Sequence, residues 1–176
     1  MKHKSSYLIV MLVVQAVSLY AQQASHIDAL RSALAEGRVC LNAEYVIAMQ
    51  QTRITGRAEI EVQGDAYVVK TGETEIYCDG ETIWTVDNEH KEVYLESLET
   101  YGGQATGNIL ITLLDSDAVE FSFTDAGRLH MISVTLEDGS KVKADVTSYS
   151  VAEKKSVTSF RPQSDFGSEW IVTDLR

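Results

Sequence analysis

Beyond residue 56 the chain repeats with a period of two. In RAEIEV, Ala58, Ile60 and Val62 alternate with Arg57, Glu59 and Glu61. In KEVYLE, Val93 and Leu95 alternate with polar and aromatic residues, and VEFSF sets Val119, Phe121 and Phe123 on one side. LHMISVTLEDGSKVKADV carries Ile132, Val134 and Leu136 before an Asp-Gly turn and Val142, Ala144 and Val146 after it. Successive side chains of a strand point to opposite faces, so this alternation predicts strands with one apolar and one wet face. Turn signals recur at Gly64-Asp65, Thr71-Gly72, Asp87-Asn88, Asp125-Ala-Gly127 and Asp138-Gly139. Together they predict a meandering antiparallel sheet of nine to eleven strands.

Two stretches break the period. SHIDALRSALAEG, residues 25 to 37, places Ile27, Leu30 and Leu34 on one helical face, with Ser25 and Asp28 as a capping pair and Gly37 as the stop. Its single apolar stripe requires a cover. ATGNILITLL, residues 105 to 114, follows Tyr101-Gly-Gly and is almost wholly apolar. It reads as a short helix lying across one side of the sheet or as a buried strand, which periodicity does not separate.

IYCDGETIW, residues 76 to 84, holds the second Asp-Gly signal. Asp and Gly tolerate the positive φ of tight hairpin turns, so Ile76 to Cys78 and Thr82 to Val86 should pair antiparallel. Trp84 then brings a large apolar surface that protein or ligand must cover.

MKHKSSYLIVMLVVQAVSLYA opens with Lys2 and Lys4, runs apolar from Tyr7 to Val14 and ends at Ala21, the pattern of an export signal. The apolar run is short of the ~20 residues that span a bilayer. Residues 1–21 are therefore expected to be removed, leaving residues 22–176 as one exported domain, a chain length that buries about 68–70% of its unfolded surface. Losing Lys2 and Lys4 takes the net charge from −11 to −13. Such a charge excludes nucleic acid as a partner and argues against stable adsorption to anionic membranes. Cys40 and Cys78 either form a disulfide, which an oxidising compartment allows, or are two separate buried thiols.

Catalytic signatures are lacking. GGQATGNI imitates the start of a phosphate loop, but Asn108 and Ile109 stand where Lys and Ser/Thr are needed. His26, His90 and His130 lack ligand spacing for a metal, and the Asp115/Asp117 pair offers too few oxygens for calcium. No G-x-S-x-G occurs, and the carboxylates are scattered over alternating strand positions.

Helix, long antiparallel sheet, the strand and turn IYCDGETIWTVDNEHKEVYLESL, the segment ATGNILITLL, and the closing GRLHMISVTLEDGSKVKADV and EWIVTDLR together resemble the periplasmic outer-membrane lipoprotein carriers of the LolA family, in its shorter LolA-like branch. The resemblance implies a mainly β fold, a strongly curved antiparallel sheet forming an incomplete half-barrel. The N-terminal helix and a short helical lid would lie on its concave side. It implies an apolar cavity whose wall takes in Ile60, Val62, Trp84, Phe121, Phe123 and Val134, with Ile109, Leu110 and Leu113 in the lid. The function implied is that of a periplasmic, monomeric, non-enzymatic carrier without a cofactor. Its partners would be acylated lipoproteins, an inner-membrane lipoprotein-releasing transporter and an outer-membrane acceptor. The family's Arg-Pro pair, which ties the lid to the sheet, is missing from VQGDAYVVKTG; Arg53 and Arg57 are the nearest arginines. Two other roles suit the same fold. An outer-membrane acceptor would need a lipidated N-terminal Cys, and no Cys lies near residue 21. An interaction or sensor domain would bind a protein segment or another lipid.

Overall fold

The computed structural model describes residues 23–49, 51–99, 113, 114, 116–163 and 166–176. Helix α1 covers residues 23–36 and ends at Gly37, whose N–H bonds the Ala33 carbonyl at 3.0 Å. The helix is already formed at residue 23, so Ser25 lies inside it. Asp28, expected as a capping partner, instead pairs with Arg31 one turn on, at 3.3 Å.

Ten strands follow among the described residues: β1 (Arg38–Ala48), β2 (Arg53–Gln63), β3 (Ala66–Thr71), β4 (Thr74–Asp79), β5 (Thr82–Asp87), β6 (Glu92–Ser97), β7 (Val119–Phe123), β8 (Leu129–Thr135), β9 (Lys141–Ala152) and β10 (Ile171–Asp174). They form one sheet in the order β10-β6-β5-β4-β3-β2-β1-β9-β8-β7. Every pairing is antiparallel except β10 with β6. Among the described residues the sheet keeps two free edges, β7 and β10, and is an incomplete barrel. The lid segment lies outside the described residues apart from Leu113 and Leu114, which are helical.

Register sorts the side chains. Residues opposite one another in an antiparallel pair share a face. One such row runs Val151, Val39, Val62, Tyr67, Cys78, Ile83; the next runs Tyr149, Leu41, Ile60, Val69, Ile76, Thr85. Both belong to the face that α1 covers. Leu30 and Leu34 reach down onto it and are 4% and 0% exposed. Burying a leucine stabilises by roughly 1.5–3 kcal/mol, so these two hold the helix far more firmly than its intrinsic propensity does.

The opposite face carries the row Ser150, Cys40, Glu61, Val68, Tyr77, Trp84, Leu95. Over β1, β2 and β9 it is polar, as alternation predicts. Over β3 to β6 it is not. There Ala66, Val68, Tyr77, Val86 and Val93 form a second core with Phe160, joined by Trp84, Leu95, Phe166 and Trp170. The C-terminal segment supplies the cover. A 3-10 turn, Val157–Phe160, sinks Phe160 to 0% exposure, and the chain then returns to lay β10 beside β6. Gln63 fastens its start: the side-chain amide donates to the Lys155 carbonyl, and the Lys155 N–H donates back to the amide oxygen, both at 2.8 Å.

The hairpin between β4 and β5 turns at Gly80-Glu81, with Cys78 opposite Ile83 and Gly80 at φ 97°. Asp79 acts one place earlier than expected: its carboxylate accepts the N–H groups of Glu81 and Thr82, the side chain completing the turn.

The two cysteines are separate. Cys40 and Cys78 are both free thiols. Cys40 belongs to the row of Glu61 and Tyr77, Cys78 to the row of Val62 and Tyr67, so they point to opposite faces. Three strand spacings, about 14 Å, also lie between them, where a disulfide needs Cα atoms within about 7 Å.

Candidate functional site

The α1-covered face is hydrocarbon from β4 round to β7. Val39, Leu41, Val62, Tyr67, Cys78, Ile83, Phe121 and Ile132 are buried, with Leu30 and Leu34 against them. Around this floor Ile60, Val69, Ile76, Val119, Phe123, Val134 and Tyr149 pack on it while staying partly accessible. The helix therefore covers the face incompletely, and the accessible remainder is apolar.

Five residues expected to line a cavity come together here: Ile60, Val62, Phe121, Phe123 and Val134 share this face. Leu113 packs on the same cluster, as do Leu114 and Leu98, so both described flanks of the 100–112 stretch rest on this face. Ile109 and Leu110 lie outside the described residues. Trp84 is not with them. It pairs with Tyr77 and Leu95 on the opposite face, under the C-terminal segment. Alternation was the available signal, since Ile83 and Trp84 must face opposite ways and Ile83 follows Cys78 and Val62 in register. Leu41, Val69, Ile76 and Tyr149 give little signal in sequence because their short runs show alternation weakly, yet the hairpin registers carry them onto this face.

Polar groups on the face are few and mostly bonded. Cys78 donates weakly to the Asp65 carbonyl at 3.5 Å and accepts from the Gly80 N–H at 3.4 Å; burial pushes its thiol up. Gln23 at the start of α1 donates to the Phe121 carbonyl at 2.9 Å, satisfying one group on the free β7 edge. Tyr45 lays its ring over Gly56, directly across the β1–β2 ladder, where a Cβ would meet the hydroxyl at 2.5 Å. Burial pushes the Tyr149 phenol above its ordinary range.

Over β1 and β2 the ion pairs lie on the other face, while the covered face turns acidic only beyond β5, where Glu96 stands opposite Ile83. Glu61 holds Lys155 at 2.7 Å and also Arg38; burial opposes its ionisation, but these hydrogen bonds outweigh it and keep the carboxyl below its ordinary value. Arg57 pairs with Glu44 at 3.2 Å and is 85% exposed, so it does not reach the covered face. A cavity of about 350 Å³ on this outer side is lined by Cys40, Asn42, Glu59, Glu61, Lys70 and Ser148, among others, a wall too polar for hydrocarbon. Among the described residues, no three His, Cys, Asp or Glu side chains are grouped to hold a metal, and no helix is long and apolar enough to cross a membrane.

No family model and no curated protein matches the chain. Solved structures do. An uncharacterized conserved protein from Thermus thermophilus has a similar fold, at TM-score 0.53 and 10% identity, over 86% of this chain and 98% of that one. A LolA superfamily protein from Nitrosomonas europaea is similar at TM-score 0.43 and 11% identity, over 75% of this chain and 97% of that one. At 10% identity the likeness to the first is one of fold alone.

Proposed function

We propose that this chain is an exported, non-enzymatic carrier that shields the acyl chains of lipoproteins on the way to the outer membrane. It would take cargo from an inner-membrane releasing transporter and yield it to an outer-membrane acceptor. One observation carries the reading: an open ten-stranded sheet whose covered face is apolar from β4 round to β7, under a helix that leaves Ile60, Val69, Ile76 and Val134 partly accessible. A fold that needed only stability would bury those residues or make them polar. Hydrocarbon is the ligand that matches such a surface. Each CH₂ removed from water contributes about 0.8 kcal/mol, so even one long acyl chain provides on the order of 10 kcal/mol without chemistry or cofactor. The charge segregation agrees, since the ion pairs Arg38–Glu61, Lys155–Glu61 and Arg57–Glu44 all sit on the outer face.

The test is native mass spectrometry of the periplasmic protein, followed by its ability to release acylated lipoprotein from inner-membrane preparations. Bound lipid or lipopeptide together with release is the expected result. An empty protein that releases nothing would overturn the reading in favour of an interaction domain.

A further inference from the structure

The two edges of the sheet are finished differently. At β7, Gln23 of α1 donates to the Phe121 carbonyl at 2.9 Å, and His26 sets its ring against Phe123 and Gly127, so the helix start shields that edge. Sheet edges are ordinarily blunted by Lys, Pro, a bulge or a covering element. β10 reads IVTD, keeps an unbroken register with β6 and has no covering element among the described residues. Its shortness is its one protection.

The direction of its backbone groups follows from its ladder. The Ile171 N–H bonds the Lys91 carbonyl at 2.9 Å and the Leu175 N–H bonds the Leu95 carbonyl at 2.8 Å, both toward β6. Backbone groups alternate in direction along a strand, so those of Val172 and Asp174 point away from β6, where no described strand meets them. The side chains around them are bare. Ile171 at 60% and Leu175 at 56% are the most exposed large apolar residues among those described, and Val172 is 50% exposed. Free backbone groups flanked by apolar side chains form a template for one more strand.

Charge narrows the choice of occupant. Glu92 stands opposite Ile171, and Tyr94, opposite Thr173, donates to Glu92 at 2.7 Å; Glu96 continues the same side of β6. The nearest cations are engaged: Arg176 holds Asp174 at 2.7 Å, and Lys91 lies over the Trp170 ring, 4.7 Å from its centroid. We propose that β10 receives an extended peptide of alternating apolar and basic residues, which bonds the outward backbone groups of Val172 and Asp174 and sends Lys or Arg back over Ile171 toward Glu92. A second copy of the chain fits poorly. It brings the same carboxylates to the seam, and a strand of four residues, about 13 Å long, does not alone bury the ~1,200 Å² of a stable interface. The assignment stands apart from the carrier reading, whose apolar floor runs from β4 round to β7.

The experiment titrates a fluorescently labelled peptide, acetyl-Lys-Val-Lys-Val-Lys-Val-amide, into the purified protein and follows its anisotropy at physiological ionic strength. Val172→Pro removes an N–H that points away from β6 and spares the inward ladder, and it should weaken binding about tenfold or more. The same peptide methylated at every backbone nitrogen keeps its charge and side chains, and it too should lose about tenfold on the unaltered protein, an arm that needs no variant to fold. Replacing its lysines by glutamates should abolish binding. Equal affinity for the methylated peptide would mean adsorption by charge and overturns the assignment. Equal affinity of Val172→Pro places the peptide elsewhere and overturns it as well, as does an unaltered protein that binds no peptide. A dimer in sedimentation that Val172→Pro dissociates gives the edge to a second copy and overturns the peptide. In each of these cases the carrier reading stands.

Discussion

Arg161 Nε donates to Asp79 Oδ2 at 2.7 Å, joining the C-terminal segment to the β4–β5 turn across 82 positions of sequence. The Asp79 side chain is 3% exposed and also accepts the Glu81 and Thr82 N–H groups at 3.0 and 2.9 Å. One carboxylate thus closes the turn and fastens the strap that covers the second core.

The two partners should not weigh equally. Arg161→Ala leaves both backbone bonds to Asp79 in place, and the Arg161 side chain is 51% exposed. Its loss should cost about 0.5–1 kcal/mol, the range of a screened pair. Asp79→Ala strips two backbone donors, that of Thr82 buried, of their acceptor and should cost more, about 1–3 kcal/mol. Urea denaturation of both variants checks the order. Equal effects would show that the ion pair, not the turn, is what Asp79 supplies.

Acid should act through the same group. Burial alone would raise the Asp79 carboxyl, but the backbone N–H groups and Arg161 hold it below its ordinary 3.8. Glu61 is likewise held below 4.5 by Lys155 and Arg38 against burial, and Arg176 brings exposed Asp174 down to about 2. Groups with depressed folded pKa values contribute stability above their unfolded values and lose it as pH falls through the folded ones. The thermal midpoint should therefore hold above the ordinary 4.5 of a glutamate and decline as pH falls toward about 2. Asp79→Asn should flatten that decline. His90, raised by its bond to Asp87, works the other way: its contribution is whole below 6.5 and fades as pH climbs through the raised value.

Thiol labelling tests the geometry of the faces directly. Unfolded without reductant, the protein should expose two reactive thiols. In the folded state Cys40, half-buried on the outer face, should label first, and Cys78, at 0% exposure, only at the rate of opening. No free thiol in the unfolded chain would mean that the strand registers around β1 and β4 are wrong.

Much of this architecture is legible in the sequence because a period of two is hard to mistake. VEFSF and LHMISVT show their inward residues, and Asp138-Gly139 marks its hairpin, where Gly139 adopts φ 80°. What alternation alone does not convey is which face a strand turns inward when both are apolar. In TIWTVD, Ile83 serves one core and Trp84 with Val86 the other. The second core exists because Phe160, Phe166 and Trp170 come back against the sheet, long-range contacts that leave no local trace. Which of the two states the cysteines take is illegible for the same reason, since spacing in sequence says nothing of face. In sequence His26 is only a poor metal ligand, and its place in the helical stripe emerges with Gly127 and Phe123 beneath it.

The two faces should also separate by function. Ile60→Thr with Ile76→Thr alters the covered face where it is partly accessible, at sites that share one row with Val69. Each change removes apolar surface from a half-buried position, so the pair should cost about 1–2 kcal/mol of stability and lower lipoprotein release about tenfold. Trp84→Ala empties part of the second core, which involves Val68, Tyr77 and Phe160. Because Trp84 is only half-buried, its loss should cost about 2–3 kcal/mol, below the range for a fully buried Trp. Release should nevertheless be retained at a temperature where the variant stays folded, because that core lies on the far side of the sheet from the cargo. Denaturation curves and release from inner-membrane preparations, measured on the same samples, give both quantities. If release falls with stability in both variants alike, the covered face has no special part in binding. If Trp84→Ala abolishes release while folded, the cargo lies on the outer face.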